Sequence, residues 1–316
     1  MICAMPTLRR LSMIAGVLIV ATLGALAVRT VVDVRVAERD FPPPGTIVAI
    51  DGTKLHYVER GNGRPVVLLH GNPGFVQDFT LGPANLADAL ATDHRVIVVD
   101  RPGHGYSDRP SDEATTPREQ ARLIHELLER LRVDRPILVG HSWGGGLALV
   151  YAEQYPREVS GLVLAGTRAY PSAARADPVY ALNRIPVVGT LFRATLLPPV
   201  GQRLLERRLT AAYAPDPVHA DHLAAARALW MRPSQVAATV WDTRNLQLAL
   251  ADASPQYGRL AVPVIIVVGD HDTGIADSRR LAAAIPGATL RVLPNTGHEI
   301  PLTRPGDLAA AVRAMP

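Results

Sequence analysis

A serine, an aspartate and a histidine, met in that order along the chain, carry the chemistry that this sequence can do. Ser142 lies in Gly140-His141-Ser142-Trp143-Gly144, between an apolar run at 137–139 and a helical pattern at 147–154. Glycines on either side of a serine permit a sharp strand-to-helix turn that lifts its hydroxyl clear of the strand end. That hydroxyl is nearly inert at neutral pH, so it needs a base within reach and a group that fixes the base's tautomer. His298, in Asn295-Thr296-Gly297-His298, is the expected base. Asp270 and Asp272 follow the apolar run at 264–268, and from spacing alone either can face the imidazole. His70-Gly71-Asn72-Pro73-Gly74 closes another apolar run, at 66–69. Backbone N–H groups of Asn72 and Trp143 are the candidate oxyanion hole, each donor worth about 3–4 kcal/mol where such donors have been removed. Acyl transfer through a covalent serine ester is the chemistry implied. His56, His94, His125, His219 and His222 sit in elements with no catalytic context, and His104 and His141 read as packing beside glycine turns.

The elements that must position these groups alternate. Short β-branched runs at 66–69, 95–99, 137–139, 162–164, 264–268 and 290–293 are separated by longer helical patterns. Near-continuous apolar strands of this kind predict a mostly parallel sheet buried under helices on both faces, an α/β fold. Residues 47–50 and 55–59, split by Asp51-Gly52, predict an opening antiparallel hairpin. Between Gly166 and about Leu260 the alternation fails, leaving helical patterns punctuated by Pro186, Pro198, Pro199, Pro215, Pro217 and Pro233. The organisation expected is an N-terminal segment at 1–40, a first core part at 41–166, a helical cap at 167–259 and a second core part at 260–316. Tyr170, Tyr180, Phe192, Trp230 and Trp241 are the cap-region aromatics that could line an apolar pocket.

With 316 residues, 48% of them hydrophobic and 20% charged, the chain is long enough for one large domain with an insertion. Its net charge of +4 comes from scattered arginines, Lys54 being the only lysine, and no basic stripe points to nucleic acid. Cys3 is the sole cysteine, which excludes an internal disulfide or a cysteine metal cluster. No metal or organic cofactor is required by this chemistry. Arg9 and Arg10 introduce an uncharged stretch at 11–28, about the 18 residues a membrane helix needs. A retained signal anchor is favoured over a cleaved signal peptide because signal-peptide cores are shorter, although Ala25-Leu26-Ala27 is a plausible cleavage site. The catalytic domain is then expected outside the cytoplasm. Phe41-Pro42-Pro43-Pro44-Gly45 ends the segment as a stiff linker.

Residues 46–166 and 260–305 resemble the α/β-hydrolase superfamily. The resemblance rests on 70–74, on Asp100-Arg101-Pro102-Gly103-His104-Gly105-Tyr106-Ser107-Asp108-Arg109-Pro110, on 140–144 and on Gly297-His298. It implies an acid at the fourth position of a Gly-x-x-Asp element, which favours Asp272 over Asp270. Within the superfamily, Asn72 and Trp143 are similar to the halide-gripping pair of haloalkane dehalogenases, and 100–110 is similar to epoxide hydrolases. Both families use an aspartate nucleophile, whose alkyl ester water can cleave; an alkyl ether on Ser142 would be a dead end. Ser142-Trp143-Gly144 and the helix after it also resemble prolyl aminopeptidases, but Glu206, Asp216 and Asp221 cannot be mapped onto the carboxylates that family needs.

The resemblance therefore implies a serine hydrolase with a small-molecule acyl substrate, a carboxylic ester first. Amide or C–C bond hydrolysis and cofactor-free perhydrolysis use the same parts, and a ligand-binding protein on the same fold is the non-enzyme alternative.

Overall fold

The computed structural model describes residues 5–111, 115–172 and 178–316; Cys3 lies outside them. An N-terminal helix, α1 (Met5–Asp40), precedes the sheet strands β1 (Thr46–Ile50), β2 (Thr53–Arg60) and β3 (Arg64–Leu69). Short helices α2 (Gln77–Thr80) and α3 (Leu86–Ala91) lead to β4 (His94–Val99), and α4 (Pro117–Arg130) leads to β5 (Ile137–His141). After α5 (Trp143–Gln154) and β6 (Gly161–Ala165) come five helices: α6 (Pro178–Asn183), α7 (Val188–Ala194), α8 (Leu197–Tyr213), α9 (Ala220–Leu229) and α10 (Pro233–Ala253). The chain returns to the sheet with β7 (Val264–Gly269), α11 (Ile275–Ala284) and β8 (Thr289–Leu293), and closes with α12 (Ile300–Thr303) and α13 (Pro305–Arg313).

The eight strands form one sheet in the order β1-β2-β4-β3-β5-β6-β7-β8. β1 and β2 are antiparallel, as are β2 and β4, and every other pairing is parallel. The expected hairpin turns at Asp51 and Gly52, both with positive φ, the geometry a two-residue turn needs to match strand twist. Because side chains alternate along a strand, Val67 and Leu69 of β3 enter one apolar core while Val66 and Leu68 enter the other. Helices cover both faces, which is why 66–69, 96–99, 137–139 and 161–165 are apolar and buried.

The insert between β6 and β7 is tied to the sheet by a buried ion pair. Asp242 on α10 is fully buried and accepts from Arg101 at 2.5 Å, from Arg109 at 2.9 Å and from the Gln120 amide at 2.9 Å. His104 Nδ1 lies 2.9 Å from the Gln235 amide nitrogen, so it accepts, and its Nε2–H donates to Asp242 at 3.0 Å. Burial alone would raise the Asp242 carboxyl, but Arg109 and Arg101 hold it well below the ordinary carboxylate range. Burial and the Arg101 charge push His104 down to about 4, and burial also lowers His70 far below the usual histidine value.

Asp242→Asn should leave the fully buried Arg101 guanidinium without its carboxylate and cost about 3–5 kcal/mol, as breaking buried pairs does. Urea unfolding would register this as a lower midpoint; a loss under about 1 kcal/mol, the scale of an ordinary surface change, would remove the pair from its structural role. A second expectation concerns acid. His70 and His104 have folded values below the unfolded value of about 6.5, so the unfolded chain binds more protons as pH falls. Their contribution is complete above pH ~6.5 and is lost as pH falls toward 4, at up to ~1.4 kcal/mol per pH unit for each histidine. Urea midpoints measured between pH 7.5 and 4.5 should fall accordingly, and His104→Asn should flatten the slope; an unchanged slope would contradict the buried neutral imidazole.

Candidate active site

Ser142 is the single residue between β5 and α5, with φ 52° and ψ −113°. A side chain there is strained, and the surroundings hold it: Ser142 N–H donates to the Ala165 carbonyl at 2.8 Å, and its own carbonyl accepts from Arg168 N–H at 3.0 Å. The glycines flanking it are required by close approach. A Cβ at Gly140 would collide with the backbone of Gly144 and Gly145, and one at Gly144 with the Leu69 and His70 carbonyls. Trp143 is the first residue of α5, so its N–H is among those with no acceptor inside the helix.

Asp272 follows the end of β7, and its N–H donates back to the Gly269 carbonyl. One carboxylate oxygen accepts from Gly274 N–H at 2.7 Å, and the other lies 2.7 Å from His298 Nδ1. His298 Nε2 in turn lies 2.9 Å from Ser142 Oγ. Asp272 is almost wholly buried; burial would raise its carboxyl, but the His298 hydrogen bond and charge bring it below the ordinary value. Asp270 points elsewhere and accepts from Thr296 N–H at 3.1 Å. Only Asp272 of the two aspartates reaches the imidazole.

The His298 loop rests on the insert, since His298 N–H donates to the Ala212 carbonyl of α8 at 2.8 Å. His141 supports it from below: Nε2–H donates to the His298 carbonyl at 2.9 Å, and the two rings lie 5.0 Å apart. Burial, then the His298 charge, drives His141 down to about 3, so it stays neutral when an imidazolium forms beside it. Sequence reading gave His141 only a packing role; nothing in its neighbours signals a contact 157 residues away.

Asn72 and Trp143 line the same cavity as Ser142, with their side chains engaged. Asn72 Nδ2 donates to the Thr239 carbonyl at 2.9 Å and Thr243 Oγ1 at 3.0 Å, and Trp143 Nε1 donates to the Asp242 carbonyl at 2.9 Å. Above them opens a cavity of about 1070 Å³ bounded by α6, α8 and α10. Tyr170, Tyr180 and Trp230 line it, whereas Phe192 and Trp241 do not. Glu206, Asp216 and Asp221 are also outside it; Glu206 pairs with Arg227 and Asp216 with Arg304. Asp78 and Glu299 are carboxyls that do line it, both raised by burial. Among the described residues no cluster of metal-ligating side chains occurs.

Comparison with known proteins agrees with this architecture. Residues 64–305 match the family described as alpha/beta hydrolase fold. Haloalkane dehalogenase 2 of Mycobacterium tuberculosis (strain ATCC 25618 / H37Rv) is 29% identical over 268 residues, covering 82% of this chain and 90% of its own length. An esterase from Exiguobacterium antarcticum superposes with a TM-score of 0.66 at 26% identity, over 85% of this chain and 100% of that one. Cfl2 of Burkholderia cenocepacia superposes with a TM-score of 0.71 at 24% identity, over 84% of this chain and 93% of that one, and shows the fold alone. With the family matched from the third strand to the last helix, the chain belongs to the α/β-hydrolase family and is a hydrolase.

Proposed function

We propose that this hydrolase cleaves carboxylic esters through an acyl-enzyme on Ser142. The observation that carries the reading is the unbroken run from Asp272 Oδ2 to His298 Nδ1 (2.7 Å) and from His298 Nε2 to Ser142 Oγ (2.9 Å), at the floor of a large cavity. In the first half-reaction Ser142 Oγ attacks the acyl carbonyl while His298 Nε2 takes its proton, and Asp272 steadies the imidazolium through Nδ1–H. The oxyanion would be held by the N–H groups of Asn72 and Trp143. Collapse expels the alcohol, which takes the proton from His298. Water then repeats the sequence on the acyl-serine, releasing the acid and restoring the hydroxyl.

Dehalogenation, the activity named for one relative, is disfavoured on two grounds. Displacement of halide by a serine would give an ether with no carbonyl for water to attack. The side chains that would grip a halide are also engaged, Asn72 with α10 and Trp143 with the Asp242 carbonyl. A peptidase reading stays a minority one: Glu206, Asp216 and Asp221 lie outside the cavity, although Asp78 and Glu299 line it.

We also propose that α1 is a retained membrane anchor with the catalytic domain outside the cytoplasm. One helical stretch, Arg9–Asp40, is long and apolar enough to cross a bilayer, and its most apolar window is not buried against the rest of the chain. That exposure supports an anchor over a core helix.

A fluorophosphonate should label the wild-type protein at Ser142, and a chromogenic ester series should give turnover. Ser142→Ala, His298→Ala and Asp272→Asn should each lower kcat/KM by roughly 10⁴-fold or more, with Asp270→Asn far milder, because such groups act as a unit. Halide release from a haloalkane should be absent. Turnover retained in Ser142→Ala, or catalytic halide release lost in that variant, would overturn the acyl-transfer reading.

A further inference from the structure

The N-terminal helix does not stop at the end of its apolar stretch. It runs for 36 residues, about 54 Å at 1.5 Å per residue, and ends against the insert. Leu23, Leu26, Ala27, Thr30, Val34 and Ala37 are its covered positions, spaced at three and four residues along one face. That face packs on α9 and α7. Glu38 pairs with Arg232 at 3.0 Å, and the Phe41 carbonyl accepts from the Tyr106 hydroxyl, fixing the end of the helix to the catalytic domain.

The covered face overlaps the uncharged stretch at 11–28. Leu23, Leu26 and Ala27 belong to both, so the insert touches the helix inside its apolar length, starting roughly 7–8 Å before the stretch ends. If residues 11–28 occupy the hydrocarbon, insert atoms packed on Leu23 lie at the depth where interfacial helices sit, about 5–10 Å in.

The insert surface formed by α7, which contacts α1, and by α8, which packs on α7, suits that depth. Ile185, Val187, Val188 and Leu191, at the start of and along α7, are exposed by 46–70%. α8 carries two apolar stripes. Leu197, Gly201, Leu205 and Leu209 form its buried stripe, while Leu196, Val200 and Leu204, one position earlier in each turn, face outward at 40–61% exposure. A water-facing helix has no use for a second apolar stripe, and contiguous apolar surface of this kind marks an interaction site. The outer stripe ends at Leu204 and Arg208, which line the cavity above Ser142.

We propose that the α7–α8 surface, residues 185–204, is embedded in the outer part of the lipid bilayer beside α1, and that the cavity takes its acyl substrate from the membrane. The substrate class is then an amphiphilic ester whose apolar chain enters along Leu196, Val200 and Leu204. The substrate half of this inference rests on the acyl-hydrolase reading; the membrane contact rests on α1 and the two stripes alone.

The test uses the full-length chain in phosphatidylcholine–phosphatidylglycerol vesicles. In a Cys3→Ser background, Leu191→Cys and Val200→Cys, neither of which lines the cavity, carry a fluorophore. Brominated acyl chains should quench both labels, and should leave a label at exposed Asp307→Cys bright. Leu191→Asp with Val200→Asp should lower kcat/KM for a vesicle-dispersed long-chain nitrophenyl ester by roughly tenfold or more, since charge at this depth is expensive, and leave 4-nitrophenyl acetate turnover unchanged. Unchanged short-ester turnover also certifies that the variant is folded. Labels that stay bright would overturn the membrane contact, whether water or a second copy covers the surface. Quenched labels with an unimpaired long-chain reaction in the double variant would overturn the loading route. Absence of all ester turnover in wild type would sink the acyl-hydrolase reading instead, leaving the quenching to judge the surface.

Discussion

Everything around Ser142 depends on Arg101 being held in place by Asp242. Arg101 follows β4, yet its side chain reaches into four segments, Nη1 donating to Gln120 of α4 at 3.0 Å. Its Nε donates to the His70 carbonyl at 3.1 Å and its Nη2 to the Gly71 carbonyl at 2.8 Å, its plane lies 3.9 Å from the Trp143 ring, and Asp242 closes the arrangement from α10. The turn that carries Asn72, the residue after the serine and the longest insert helix are thus oriented by one guanidinium. Its planar, five-donor geometry is what allows this, and a lysine could satisfy only part of it. A buried ion pair is a weak source of net stability, because desolvation offsets most of the attraction. Its value here is positional: any other arrangement of the insert would leave a charge unpaired in the interior.

The same logic explains how a strained serine persists. A residue such as Ser142, at φ 52°, costs of order 1–3 kcal/mol, and the surroundings must over-determine it. β5 fixes one side through five parallel pairings with β6, α5 fixes the other, and the backbone bonds to Ala165 and Arg168 leave the turn no alternative. The tightly packed glycines let β3 approach the turn, which brings Asn72 within reach of the same cavity.

How much of this was legible in the sequence follows from the range of each interaction. The strands could be read because apolar β-branched runs such as 66–69 and 264–268 must be buried on both faces, and that pattern is local. Ser142 and His298 could be singled out because each carries its context within a few residues. Asp272 needed more, since the chain offers Asp270 two positions earlier with equal chemistry. The deciding fact is three-dimensional: the Asp270 carboxylate is taken by Thr296 N–H. Asp242 was invisible for a stronger reason. Its partners Arg101, His104 and Arg109 are more than 130 residues away, and an aspartate in an alanine-rich helix has no signature.

The insert does more than roof the cavity, and that follows from α8. The carboxyl end of this helix presents the Ala212 carbonyl to His298 N–H, while Gly297 has no room for a Cβ because the carbonyls of residues 212–214 press against it. The helix therefore sets the backbone position of the imidazole at one end and carries the outward apolar stripe at the other. The position of that backbone sets the line from Asp272 through His298 to Ser142. Hydrogen bonds of 2.7 and 2.9 Å leave little slack in that line, and proton transfer depends steeply on it. Two further contacts fix the parts on either side. Asp242 clamps α10 to the sheet, and His141 holds the His298 carbonyl from the sheet side. The base is thus held between α8 on one side and the end of β5 on the other, and the buried, neutral His141 is the contact that ties its position to the strand bearing the serine.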